Sequence, residues 1–100
     1  MTDDRRPKWN PFDEAKMLLV REFLRREFRD WDHRDFVVFD PPAQTFILTK
    51  RGVDHTLVIP KATFEVTDFG ALCNAELTET LTRAREGRVT LTPDGPDVRG

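Results

Sequence analysis

The sequence contains little cysteine, no long apolar run and almost no net charge. Its single cysteine, Cys73, excludes an intrachain disulfide and any metal site built from several cysteines, and it fits a reducing cytoplasm. The longest apolar runs, such as MLLV, are far shorter than the roughly 18 residues of a membrane span, and the N-terminus MTDDRRPKWN holds no apolar signal-peptide core. We therefore expect a cytoplasmic protein that does not bind membranes.

The balance of charges argues against a general attraction to polyanions. The chain has 16 basic and 18 acidic residues, which leave a net charge of −2. It contains no glycine-rich phosphate loop, no His-Glu-x-x-His motif and no Gly-x-Ser-x-Gly motif. A chain of this size without these motifs is expected to be no enzyme, with no catalytic residues, no cofactor and no metal.

The apolar content is sufficient for one small core. The chain has 100 residues, of which 38% are hydrophobic, with eight Phe and two Trp. We predict a flexible N-terminal arm over residues 1–9, because this segment is polar and without periodicity. A single domain is predicted over residues 10–92. The Pro- and Gly-rich segment 93–100, PDGPDVRG, is predicted to be a disordered tail.

Two helices are predicted. The first runs from about Pro11 to Asp30 with Asn10 as its N-cap, and its apolar positions merge into a wide arc that should contact more than one neighbour. The arc contains Phe12, Ala15, Met17, Leu19, Val20, Phe23, Leu24, Phe28 and Trp31. The second begins after Thr67 or Asp68 and ends at Gly87, with an apolar stripe at Phe69, Cys73, Leu77, Leu81 and Ala84.

Three strands lie between the helices, and a fourth is indicated after them. DFVVF ends at the turn Asp40-Pro41-Pro42, while TFILTK and VDHTLVI flank Arg51-Gly52 and read as an antiparallel hairpin. RVTLT alternates and suits a sheet edge. The fold class is therefore α+β: a single small domain with an antiparallel three- to four-stranded sheet and two helices, in the order α-β-β-β-α-(β).

The strands predict a second apolar sheet face, because apolar residues occupy consecutive positions where strict alternation would leave one face polar. If Phe46 and Leu48 point towards the helices, Ile47 and Val58 point away. Either Val37 with Phe39 or Phe36 with Val38 must join them. We assign Val37, Phe39, Ile47 and Val58 as a protein-binding surface of a small non-catalytic or regulatory module, and a second copy of the chain is one candidate partner.

Arginines on the first helix support an alternative function, the binding of nucleic acid. Arg21, Arg25 and Arg29 recur at four-residue steps, and Arg5, Arg6 and Lys8 make the N-terminal arm basic. However, residues 20–36 contain five arginines and five acids, so carboxylates supply internal counter-ions. A solvated helix face with weak ion pairs is the simpler interpretation, and nucleic acid is not the expected partner.

The two histidines and the cysteine are interpreted as structural. His33 and His55 each follow an aspartate but lie 22 residues apart, unlike the close spacing of most metal ligands. His55 shares strand parity with Leu57 and Ile59, which places it at the core margin, and His33 is expected in a loop. Cys73 lies on the apolar stripe of the second helix and is expected to be buried and inert.

The order of the elements is similar to that of double-stranded RNA-binding domains and, in longer form, of acidic secretion chaperones. This similarity concerns order alone, and no family is assigned on it. RNA-binding domains carry a basic cluster at the start of their last helix. The corresponding stretch here, TDFGALCNAEL, has no Lys or Arg, which counts against RNA.

Overall fold

The computed structural model describes residues 13–99, which form an α+β domain. The α-helices are α1 (Glu14–Glu27), α2 (Lys61–Phe64) and α3 (Ala75–Arg83), with a 3₁₀ helix (Phe69–Leu72) between the last two. The strands are β1 (Asp32–Phe39), β2 (Pro42–Lys50), β3 (Val53–Pro60), β4 (Arg88–Thr92) and β5 (Gly95–Arg99). The predicted arm, residues 1–9, and the predicted cap Asn10 lie outside the described residues.

The five strands form one mixed sheet in the order β1-β2-β3-β4-β5. All neighbouring pairs are antiparallel except β3 and β4, which are parallel. The prediction of a purely antiparallel sheet with three to four strands and two helices was therefore wrong in strand number, helix number and one pairing direction. The parallel pair arises because α2, the 3₁₀ helix and α3 carry the chain back along β3 before β4 begins.

The C-terminal segment forms a strand where a disordered tail was predicted. Pro93 and Gly95 lie at the turn between β4 and β5, in which the Thr92 hydroxyl donates to the Gly95 carbonyl and accepts from the Asp94 amide. Gly95 adopts a φ of 124°, a conformation that favours glycine. The Pro/Gly signal thus marks a hairpin turn, and β5 adds to the sheet through β4.

Helix α1 is shorter than predicted. It begins at Glu14 because the Asp13 carboxylate accepts hydrogen bonds from the amides of Ala15 and Lys16, at 2.8 and 3.4 Å. Its apolar arc is also narrower, since Ala15 and Leu19 are exposed. The expected burial of Leu24 and Phe28 is confirmed, and both belong to the core cluster.

The predicted second helix is broken into two pieces. The 3₁₀ helix ends at Leu72, and Asn74 then begins α3 by accepting a hydrogen bond from the Leu77 amide at 3.1 Å. The segment KATF, directly after β3, forms the short helix α2. The predicted stripe still faces inwards, because Phe69, Leu77, Leu81 and Ala84 are buried and Cys73 packs against them.

The core lies between the helices and one face of the sheet. Strand residues of this face alternate along their strands and are buried: Phe46, Leu48, Leu57, Ile59, Val89 and Leu91. Each helix of the described residues contributes to the same cluster, through residues such as Val20, Phe64, Phe69 and Leu77. The intervening strand residues point to the opposite face, on which none of these core residues lies.

Candidate protein-binding surface

The sheet face opposite the helices carries a group of apolar side chains, Phe36, Val38, Ile47 and Val58, here called the open face. Strand register brings them to one side: Phe36 lies opposite Thr45, and Thr45 lies opposite Val58. Directly paired residues in an antiparallel sheet project to the same face. Thr45 is buried between these neighbours, so it forms the floor of the surface.

The open face is a shallow depression of about 530 Å³. Phe36 is 49% exposed and Val38 is 39% exposed, although both are large apolar residues. Ile47 and Val58 are half-buried, whereas their chain neighbours Leu48 and Leu57 are fully buried on the helix side. The described part of the chain therefore leaves four apolar side chains in contact with solvent on one continuous surface.

The structure corrects two of the four residues assigned to this surface. Ile47 and Val58 lie on the open face as predicted. Val37 instead packs against the core cluster, and Phe39, with the same strand parity, lies on the helix side, where it is 59% exposed. The reason is the turn after β1, which pairs Phe39 with Pro42 and therefore Phe36 with Thr45.

This register was available from the sequence. The Asp40-Pro41-Pro42 turn sets it, because the turn fixes the first residue pair of the two strands. Pairing Phe39 with Pro42 across a two-residue turn places even-numbered β1 residues beside odd-numbered β2 residues, and so Phe36 and Val38 beside Ile47. The hydrophobic pattern of β1 does not reveal the register, because the strand has four consecutive apolar residues and its odd- and even-numbered positions are equally apolar.

Charged residues of both signs border the open face at one end. Glu86 and Arg88 line the depression at the start of β4, together with Gly87. The Glu86 amide donates to the Asp54 carbonyl at 2.7 Å, which fixes this rim to β3. Arg34 lies 3.8 Å from the Asp54 carboxylate. The surface therefore has an apolar centre and a mixed-charge border.

The arginine row of the alternative interpretation is not a continuous cationic stripe. Arg21 forms an ion pair with Asp35 at 3.2 Å, and α1 ends at Glu27, so Arg29 lies beyond the helix. Arg25 remains on the exposed side of α1. A carboxylate therefore neutralises one of the three arginines, and the helix does not align the third with the other two.

Each histidine has a structural partner. His55 is buried, its Nδ1–H donates to the Leu81 carbonyl at 2.7 Å, and its ring packs edge-to-face on Trp31 at 4.7 Å. His33 lies in β1, where a loop was expected, and its Nε2–H donates to the Phe28 carbonyl at 2.7 Å. Both histidines pair with Leu48, so strand β2 separates them. Residues 13–99 contain no group of three or more side chains that could hold a metal ion.

Cys73 is half-buried at the end of the 3₁₀ helix. Burial raises the pKa of its thiol to about 11, and the nearby Arg26 charge offsets this only in part. A thiol with a raised pKa is mostly protonated at neutral pH and is a poor nucleophile. These properties suit a side chain that packs against the core and not one that acts as a nucleophile.

We predict that Cys73 is alkylated by iodoacetamide roughly tenfold more slowly in the folded protein than in urea, at about pH 8. The raised pKa lowers the thiolate fraction about a hundredfold, and the greater intrinsic reactivity of a more basic thiolate recovers about tenfold of that. Mass spectrometry of timed samples measures the rate, with Cys73→Ser as the blank. Equal rates in the two conditions would show that the thiol is not protected.

Comparison with known proteins gives no assignment for this surface. No protein family matches the chain, and comparisons with curated proteins and with solved structures gave no significant match. Among residues 13–99, no helix has the length and apolarity to cross a membrane.

Proposed function

We propose that this chain is a small non-catalytic protein-binding or regulatory module that acts through the open face. The observation that carries the proposal is the one-sided coverage of the sheet within residues 13–99. The helices of this part pack on the core side, while Phe36, Val38, Ile47 and Val58 remain accessible. Complete burial of such a side chain is worth roughly 1.5–3 kcal/mol. A partner that covers the open face would gain this free energy at several positions together.

The form of the surface favours a protein as the partner. Protein interfaces have an apolar, closely packed centre and a polar rim, which matches the apolar centre and the Glu86 and Arg88 border. Small ligands instead bind in clefts that enclose most of their surface, and the open face is shallow. The border charges of both signs would orient a partner without selecting strongly for one overall charge.

The geometry supports nucleic-acid binding less well. Affinity for phosphates requires cations that are free of neighbouring carboxylates, and Arg21 is already paired with Asp35. The arginines also lie on the helix side of the domain and not on the open face. A cytoplasmic location stays a prediction from the single cysteine and agrees with a module that binds other intracellular proteins.

The proposal is tested by comparative capture from a lysate of the source cells. The test variant Ile47→Lys/Val58→Lys places two charges on the open face, and the control Leu18→Lys/Leu19→Lys places two charges on the exposed side of α1. We expect the wild type and the control to retain the same proteins and the test variant to lose them. Purified partners should then bind the test variant at least about tenfold more weakly.

Equal capture by all three proteins would contradict the proposal, provided that thermal unfolding shows each variant to be folded. If only the α1 control lost its captured proteins, the result would assign binding to helix α1 and not to the sheet.

A further inference from the structure

Strand β1 is an exposed sheet edge of eight residues. It pairs with β2 on one side, and within residues 13–99 no strand pairs with its other side. Edge strands carry unpaired backbone amides and carbonyls, and proteins usually protect them with prolines, lysines, bulges or short length. The opposite edge, β5, has five residues and contains Pro96. The second half of β1, Phe36–Phe39, has no proline or lysine and is wholly apolar.

We propose that the β1 edges of two copies of this chain pair antiparallel about a twofold axis at Val37. The pairing joins two five-stranded sheets into one continuous sheet and two open faces into one surface. It goes beyond the proposed function, because the open face can take another protein whether or not two copies pair. A second copy is chosen as the occupant because the edge is complementary to itself.

The complementarity is visible in the opposed residues. With Val37 opposite Val37 of the second copy, Phe36 lies opposite Val38 and Val38 opposite Phe36, all on the open face. Arg34 of each copy lies level with Asp40 of the other, the first turn residue after β1. Opposed apolar pairs and opposite charges both stabilise antiparallel strands. On the helix side Phe39 lies opposite Asp35, whose charge is already paired with Arg21.

The neighbouring registers lack this match. An axis at Phe36 places Asp32 opposite Asp40, which brings like charges together twice, and places Arg34 opposite Val38. An axis at Asp35 places two Asp35 carboxylates opposite each other, and an axis at Val38 places Phe36 opposite Asp40. Like charges directly opposed across strands are destabilising. Charge and apolar matching therefore agree on the axis at Val37.

The first test reverses the charges at the edge and measures association by sedimentation equilibrium. Arg34→Asp or Asp40→Arg alone replaces two attractive pairs in the dimer with two repulsive ones, and we expect the dimer to dissociate about tenfold more readily. The double variant Arg34→Asp/Asp40→Arg restores both pairs and should dimerise like the wild type. Thermal unfolding establishes that each variant is folded, because Arg34 also lies near Asp54.

A wild type that stays monomeric at all concentrations, or a dimer that neither single charge reversal weakens, would overturn this inference. The control Val58→Lys changes the open face two strands away from the edge and should leave dimerisation unchanged. Failure of this dimer would not affect the capture experiment with Ile47→Lys/Val58→Lys, so the two proposals fail separately.

The second test fixes the register by disulfide cross-linking in a Cys73→Ser background. In Val37→Cys the introduced thiols face each other at the axis, where Cα atoms of opposed residues are about 4.5–5.5 Å apart, a spacing that permits a disulfide. In Asp35→Cys the two thiols are offset by four residues, about 14 Å, which is too far. We expect Val37→Cys to cross-link under mild oxidation and Asp35→Cys not to. Equal cross-linking of the two variants, or none in either, would overturn the register.

Discussion

Replacing Leu57 with Asp should unfold the protein near neutral pH, whereas replacing Val58 with Asp should leave it folded. Leu57 is fully buried on the helix side of β3, and Val58 is half-buried on the open face. Burial of a carboxylate raises its pKa by up to about 3–5 units, so the folded variant must hold the carboxyl protonated, which costs roughly 4 kcal/mol at pH 7. This cost, together with the lost apolar burial, is comparable to the whole stability of about 5–15 kcal/mol of a typical domain.

Circular dichroism and one-dimensional proton NMR distinguish the outcomes. The Leu57 variant should lose its cooperative thermal transition, and the Val58 variant should retain dispersed methyl signals. If both variants unfold, the open face is buried in the native protein. If both stay folded, strand β3 is not the centre of the core. The pair is informative because the two residues are adjacent in one strand and differ in the face to which they point.

Replacing Leu24 with Ala should lower the free energy of unfolding by roughly 2–5 kcal/mol, the range for large cavities in cores. Leu24 is buried in the last turn of α1 and belongs to the core cluster. The matched control is Leu18→Ala, because Leu18 lies on the same helix but is 53% exposed, and its loss should change stability by less than about 0.5 kcal/mol.

Urea denaturation followed by tryptophan fluorescence or circular dichroism gives both values, with the slope of the transition as a check that the unfolded state is unchanged. A loss below about 1 kcal/mol in Leu24→Ala would contradict the assignment of α1 as a main core element. Equal losses in the two variants would show that the helix is rotated from the described orientation.

Local signals in the sequence predicted local structure well. The hairpin at Arg51-Gly52 is confirmed, and both residues adopt positive φ, as a tight turn between β2 and β3 requires. Helical spacing alone identified two core positions, Leu24 in α1 and Phe28 directly after it. The start of α1 was misplaced because Asn10-Pro11 and Asp13 both carry capping signals, and the latter caps the helix.

Long-range structure was harder to predict. The parallel pairing of β3 with β4 depends on how the crossover between them packs, and no residue in either strand encodes its direction locally. The same limit explains β5, because Gly95 and Pro96 have low strand propensity and the strand exists through its pairing with β4. A Pro/Gly-rich segment is compatible with either a disordered tail or a hairpin turn.

The sequence predicted a second apolar sheet face, but two of the four residues assigned to it lie on the other face. Consecutive apolar residues in three strands correctly indicated that both sheet faces are apolar. Which β1 residues lie on this surface depends on the register between β1 and β2, and the turn that joins the two strands sets this register. A shift of one residue would move every β1 side chain to the other face of the sheet. Phe36 and Val38 therefore replace Val37 and Phe39 beside Ile47 and Val58.

The most direct test of the account is the solvent exposure of methyl groups, measured by NMR with a soluble paramagnetic agent. At a concentration where the protein sediments as a monomer, the methyl groups of Val38, Ile47 and Val58 should show strong relaxation enhancement. Those of Leu57, Ile59 and Val89, on the helix side, should be shielded. Ile47 and Val58 methyl groups as well shielded as that of Ile59 would contradict the account, because the sheet would then have no open face for a partner.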